Sequence, residues 1–175
     1  MLKIGMVSTK GGVGKSLLTR YIAHGLTALG KQVSVLNLDQ QIHVQVETDQ
    51  ARLESSEIVI FDSMGALHGA TLELLEDLKS GGVVICPVGT GQSDQTEYSF
   101  IVDAFTQLGV MKQVVFVLNR VNQRCVSTRE ARQRLEGLGC TVAESTISAL
   151  EDYAQWRNTP RTTTEIQKLI KEVIL

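Results

Sequence analysis

The chain alternates short, mostly apolar runs with longer stretches in which apolar residues recur every three or four positions. The runs are Leu2–Val7, Val33–Leu38, Glu57–Asp62, Val83–Cys86 and Gln113–Leu118. They are mostly apolar, and between Glu57 and Asp62 the third is apolar throughout, the pattern of a parallel strand buried on both faces. The first helical stretch places Leu17, Leu18, Tyr21, Ile22, Gly25 and Leu26 on one side. Further helices are predicted over Ala66–Lys79, Asp94–Leu108, Ser127–Leu138, Ser148–Arg157 and Thr162–Leu175. Gly81-Gly82, Gly109, Gly137 and Gly139 mark helix ends, Pro87 closes the fourth strand, and Asn158-Thr159-Pro160 breaks the chain before the last helix. Thr162–Thr164 supply the cap for that helix, and Thr141–Ile147 can supply a sixth, edge-type strand. The alternation predicts an α/β fold: a doubly wound, mostly parallel sheet with helices on both faces. Ile42–Ser56, polar with only weak alternation, reads as a short connection.

Composition narrows the class. At 175 residues the chain is expected to form one domain over 1–175, with 43% apolar residues for a core and 21% charged residues, too few for disorder. Leu2–Val7 is too short for a secretory signal, and no apolar run is long enough to span a bilayer, so a cytoplasmic location is expected. Three widely spaced cysteines exclude a disulfide framework or zinc site, and Cys86 reads as a buried thiol. A net charge of −2 excludes a general polycation, but the charge is uneven. Asp62–Asp103 holds seven acids against Lys79, whereas Lys112–Arg134 holds six bases against Glu130, a candidate polyanion face.

The chemistry concentrates after the first strand, in Ser8-Thr9-Lys10-Gly11-Gly12-Val13-Gly14-Lys15-Ser16. Strand, glycine loop and helix form the context of a phosphate-binding loop, with backbone N–H groups and the helix dipole turned to anionic oxygens. Lys15 can reach terminal phosphates, and the Ser16 hydroxyl can ligate Mg²⁺. Asp39 and Asp62 end the second and third strands, where a carboxylate acts on Mg²⁺ or an attacking water. The fifth strand ends in Asn119-Arg120-Val121-Asn122, which resembles the base-recognition loop of phosphate-loop proteins; Asn122 stands where GTPases place the acid that pairs with guanine, and its amide favours ATP over GTP.

Lys10-Gly11-Gly12-Val13-Gly14-Lys15-Ser16 resembles the deviant Walker A loop of the ParA/MinD family of ATPases. The resemblance implies a P-loop NTPase that uses ATP and Mg²⁺. Gly11, Gly12, Val13, Gly14, Lys15, Ser16 and Leu17 would hold the phosphates, with Asn119 and Arg120 at the base. It implies Lys10, Lys15 and Asp39 as the catalytic set, Lys10 acting across an ATP-bound homodimer, and Ser16, Asp39 and Asp62 around the metal. Thr9 departs from the first glycine of the standard phosphate loop; the chain departs from the family at Ser63-Met64 and at Asn37 and Gln40 of the Asp39 motif, and these last two motivate slow or strongly regulated hydrolysis. By resemblance the function is DNA partition: the dimer binds non-specific DNA, associates with the nucleoid and is released by a ParB-like DNA-bound activator. Arg129, Arg132 and Arg134, or Arg157 and Arg161, would make the phosphate contacts. A non-hydrolysing ATP switch, a synthetase of dethiobiotin-synthetase type and a MinD-like membrane-positioning ATPase stay open as alternatives. In the last helix, Lys168 and Lys171 are balanced by Glu165 and Glu172, which favours packing on the sheet over a membrane surface.

Overall fold

The computed structural model describes residues 1–38, 53–63 and 65–175. Its strands are β1 (Leu2–Met6), β2 (Val33–Asn37), β3 (Ile58–Asp62), β4 (Val83–Val88) and β5 (Val114–Leu118). Its helices are α1 (Lys15–Ala28), α2 (Ala70–Leu78), α3 (Gln92–Gln95), α4 (Tyr98–Gln107), α5 (Val126–Gly137), α6 (Glu151–Ala154) and α7 (Pro160–Val173). All strand pairs are parallel, in the order β2-β3-β1-β4-β5. This is the doubly wound α/β fold expected from the apolar runs. The expected sixth strand is only partly formed. The segment 141–149 runs parallel beside β5 but bridges it at two points, Phe116–Val142 and Val121–Ser148.

The inner strands present alternate residues to two cores, as the period of two requires, while the edge strand β2 is only partly covered. On one face Ile4, Met6, Ile60, Ile85 and Val117 pack with Leu18, Ile22 and Leu26 of α1, Tyr153 of α6 and Ile166, Leu169 and Ile170 of α7. On the other, Val84, Cys86, Phe116 and Leu118 pack with Leu74, Leu75 and Leu78 of α2, Ile101 and Phe105 of α4, and Ala131 and Leu135 of α5. Burial pushes the Cys86 thiol pKa far above its ordinary value, as expected of an inert core cysteine. The apolar stripe of α7 is occupied by the core: Ile166, Leu169 and Ile170 are buried, each worth roughly 1.5–3 kcal/mol. α7 lies so close to α1 that a Cβ on Gly25 would stand 2.7 Å from Ile170 Cδ1.

Several element boundaries differ from the sequence expectation. Pro87 lies inside β4 rather than closing it. Val88 O accepts from Asn119 N on the β5 side and Ile85 O from Val7 N on the β1 side. The alternation therefore turns Pro87's missing N–H toward the β1 side, past the last β1–β4 pair, Met6–Ile85. The Ala66–Lys79 helix starts only at Ala70, after Gly69. Asp94–Leu108 is divided into α3 and α4. Ser148–Arg157 holds only the short α6, because Ser148 and its neighbours pair with the end of β5. Asn158-Thr159-Pro160 separates α6 from α7, as expected, and its last two residues also start α7. Thr159, not Thr162–Thr164, is the N-cap, and Pro160 takes the first-turn position where no N–H is needed.

Two carboxylates of α7 stand where a further strand would pair. Glu172 accepts the N–H groups of Glu144 and Ser145, and Glu165 accepts that of Ser148. From α5, Arg132 Nη2 donates to the carbonyls of Ala143 (2.7 Å) and Glu144 (3.3 Å). The outer edge of the sheet is thus satisfied by side chains, which blocks pairing with another chain. Burial alone would raise the Glu172 pKa. Hydrogen bonds from Ser145 and from the Glu144 N–H, with Arg132 nearby, outweigh it and hold the carboxyl below its ordinary 4.5. A depressed folded-state pKa adds stability above the unfolded value and loses it as pH falls through the folded one. Glu172→Gln is therefore expected to lower stability at pH 7 by about 0.5–1 kcal/mol, a modest amount because the site is exposed. Urea unfolding between about pH 7 and pH 3 checks this: the gap between variant and parent closes below the ordinary value, and a gap that persists unchanged contradicts the assignment.

Candidate functional site

The glycine loop lies at the carboxyl end of β1, between β1 and α1, where a doubly wound sheet binds ligands. Gly12 (φ +76°) and Gly14 (φ +95°) take left-handed backbone that a side chain would strain. At Gly14 a Cβ would also stand 2.3 Å from Asn119 Nδ2. Gly14 is the N-cap of α1. No side chain caps the helix, and its first turn carries no acid. The first-turn N–H groups and the positive end of the dipole are left for an exogenous anion, so the loop fits a phosphate. Lys15 is buried to 8% exposure, and its Nζ donates to Lys10 O at 3.4 Å, folded back over the loop. Ser16 is exposed at the helix start, and Leu17 is buried.

Asp62 ends β3 at 6% exposure, paired in register with Met6, the last residue of β1. Ser63 Oγ donates to Met6 O at 2.8 Å, and a Cβ on Gly65 would come within 3.2 Å of Gly11 N, so the turn after β3 rests on the loop. Ser16 and Asp62 offer hard oxygen donors on neighbouring elements, a set that fits Mg²⁺. Asn37 pairs in register with Asp62, so an amide stands where an aspartate would set two carboxylates on adjacent strands. Asp39, the motif Asp39-Gln40-Gln41 and most of the Ile42–Ser56 connection lie outside the described residues, as does Met64.

Asn119, 1% exposed, clasps the loop: its Nδ2 donates to Val13 O at 2.7 Å, and its Oδ1 accepts the Arg120 N–H at 3.0 Å. Arg120, at φ +56°, donates from Nη1 to Gly12 O at 2.9 Å. Beside them a cavity of about 220 Å³ is lined by Leu17, Asn119, Arg120 and the wall Ile147–Leu150, Tyr153 and Ala154. Asn122, expected at the base, is not part of this lining. Its Oδ1 accepts the Arg124 N–H and its carbonyl the Thr128 hydroxyl, a turn cap. The 147–154 wall escaped the sequence reading, which assigned Ser148 onward to a helix.

Lys10 points away from Lys15. Its Nζ donates to Asp94 Oδ1 at 2.7 Å and lies 3.7 Å from Glu97 Oε1, and it is about one-third exposed. The hydrogen bond and charge of Asp94 raise the Lys10 pKa and keep it cationic. Asp94 is itself fixed by the Gly91 N–H, and Gly89 leaves room for it: a Cβ there would fall 2.3 Å from Asp94 Oδ2.

The candidate DNA-binding arginines do not form one patch. Arg129, Arg132 and Arg134 lie on α5, over one face of the sheet; Arg157 and Arg161 lie by α6 and α7, over the other. Arg132 is engaged by the Ala143 and Glu144 carbonyls and is removed from the candidate polyanion set. Arg129 and Arg134 are exposed on α5. Arg157 (60% exposed) lies 3.9 Å from Asp152, and Arg161 (64% exposed) lies 3.4 Å from Glu165.

A ParA family model, described as NUBPL iron-transfer P-loop NTPase, matches residues 2–59. No curated protein matches the chain in sequence. Among solved structures the chain is similar to the MinD cell division protein of Aquifex aeolicus, with TM-score 0.74 and 15% identity over 100% of this chain and 99% of that one. It is similar to a putative plasmid partition protein of Borrelia burgdorferi bound to AMPPNP, with TM-score 0.72 and 13% identity over 97% of each chain. It is equally similar in fold to cobyrinic acid a,c-diamide synthase of Mycobacterium smegmatis with bound ADP and magnesium, with TM-score 0.73 and 12% identity over 97% and 92%. Among the described residues no helix is long and apolar enough to cross a membrane. The resemblance read from the glycine loop is borne out: in that loop and across its whole fold, the chain is similar to the ParA/MinD type of P-loop protein.

Proposed function

We propose that the chain is a small ATP-driven DNA partition switch. The observation that carries this reading is the second lysine: Lys10 stands at the rim of the loop, turned away from Lys15 and held by Asp94. A cation in that position is suited to reach the phosphates of a second copy once Asp94 releases it. In this reading the first-turn N–H groups of α1 and Lys15 bind the phosphates, with the base in the cavity walled by Leu17 and 147–154. Ser16 and Asp62 hold Mg²⁺, which when bound neutralises phosphate charge. Asp39 orients the attacking water, and Lys10 from the partner copy stabilises charge developing on the transferred phosphoryl group. ATP binding would favour the dimer, the dimer would bind DNA phosphates without reading sequence, and a DNA-bound activator would stimulate hydrolysis. Asn37 in place of a carboxylate motivates a second reading, a switch that binds ATP with negligible turnover.

Asp94→Ala frees Lys10 and is expected to raise the dimer fraction at sub-saturating ATP, measured by light scattering with size-exclusion chromatography. Unchanged dimerisation would mean that the Lys10–Asp94 pair does not restrain assembly.

Duplex DNA binding measured over a salt series with ATP, ADP and no nucleotide tests the DNA step. ATP-dependent binding that vanishes in Lys15→Ala is expected, with a log–log salt slope reduced by about 2 in the double alanine variant of whichever pair, Arg129/Arg134 or Arg157/Arg161, lies on the DNA. No binding in any nucleotide state at low salt overturns the partition reading. Turnover stimulated by a small carboxylic acid without DNA would instead point to a synthetase.

A further inference from the structure

Glu165 stands out among the polar groups that the proposed mechanism leaves unused. It lies in the first half of α7, and its side chain is only 15% exposed. Its carboxylate receives three hydrogen bonds from the far side of the 147–154 wall: Ser148 N–H at 3.0 Å, Ser148 Oγ at 2.7 Å and Tyr153 Oη at 3.1 Å. Arg161, one turn earlier, supplies the compensating charge, with Nε 3.4 Å from Glu165 and Nη2 3.4 Å from Ser148 Oγ. Ser148 and Tyr153 both line the cavity of about 220 Å³ beside Asn119. Along this wall, Ile147 and Ala149 pair inward with Leu118 and Val121 at the end of β5, so Ser148 must turn its N–H outward. Glu165 is the acceptor that it meets.

We infer that Glu165 is a positioning residue for nucleobase recognition, holding the Ser148–Tyr153 wall in the shape that receives a purine. This rests on the reading that the base of ATP occupies that cavity. Three bonds to one carboxylate are stronger than bonds to a neutral acceptor, and they fix the wall at both ends of the 148–153 turn. Glu165 touches neither the loop nor its glycines, so its influence falls on the base and not on the phosphates.

The test compares Mg²⁺-ATP, Mg²⁺-GTP and Mg²⁺-tripolyphosphate, which has no base, by calorimetric titration of the full chain and its variants. In Glu165→Ala the ATP Kd is expected to rise about tenfold and the ATP-over-GTP preference to shrink, with the tripolyphosphate Kd unchanged within about twofold. Glu165→Gln, which keeps an acceptor, restores part of the loss. Tyr153→Phe removes one of the three bonds with little change in shape and is expected to cost about threefold for ATP alone, which keeps the test decisive if Glu165→Ala does not fold. Equal losses for ATP and tripolyphosphate, or no loss for ATP, overturn the inference. If the parent protein binds ATP no better than tripolyphosphate, the cavity does not receive the base, and it is that underlying reading that fails.

Discussion

A single buried amide ties the loop to the sheet. Asn119 donates to Val13 O across the mouth of β5, at a spot that only a glycine at position 14 leaves open. Without that bond the Val13 carbonyl would be a polar group half-enclosed by protein, and the left-handed turn at Gly14 would lose its outer support. Arg120 repeats the contact one residue earlier, on Gly12 O. From the other side, the turn after β3 presses Gly65 against Gly11. The phosphate loop is therefore shaped from both flanks before any ligand arrives. Preorganised N–H donors cost little reorganisation when an anion binds, which makes such a loop effective.

The same economy of side chains finishes the sheet. Segment 141–149 is too irregular to form a full sixth strand, yet much of its backbone is bonded. Arg132 bonds its carbonyls, Glu165 and Glu172 bond its outward N–H groups, and β5 takes the inward ones. The two carboxylates lie on α7, whose apolar stripe is buried against α1. α1 in turn begins in the phosphate loop. Core packing, edge protection and the cavity wall thus share one helix.

The parallel sheet was readable because its central strands, buried on both faces, leave mostly apolar runs, and the loop because its glycines and lysines keep a spacing that few other sequences need. Helix boundaries were less readable. Gly69 delays α2, and the Asp94–Leu108 stretch divides at Thr96–Glu97 after the short α3, whose start Asp94 caps through the Gly91 N–H. Pro87 read as a stop, yet it is harmless in a strand whose β1 neighbour has already ended. The basic sector was misleading as a unit. Charge along a sequence does not reveal that Arg120 bonds the loop, that Arg132 bonds an edge segment, or that α5 and α7 lie on opposite faces of the sheet. Glu165 and Glu172 read only as offsetting the charge of Lys168 and Lys171, whereas their partners are the Glu144, Ser145 and Ser148 N–H groups and the Ser148 and Tyr153 hydroxyls, which periodicity alone does not reveal.

The most direct measurement is a calorimetric titration of Mg²⁺-ATP into the parent protein and into Asn119→Ala. If the Asn119 clasp shapes the phosphate loop, the parent binds one nucleotide per chain, and the variant, still folded by circular dichroism, binds at least about tenfold more weakly. A folded variant that binds ATP as tightly as the parent would contradict the account, because the loop would then hold its shape without the bond on which this structure rests it.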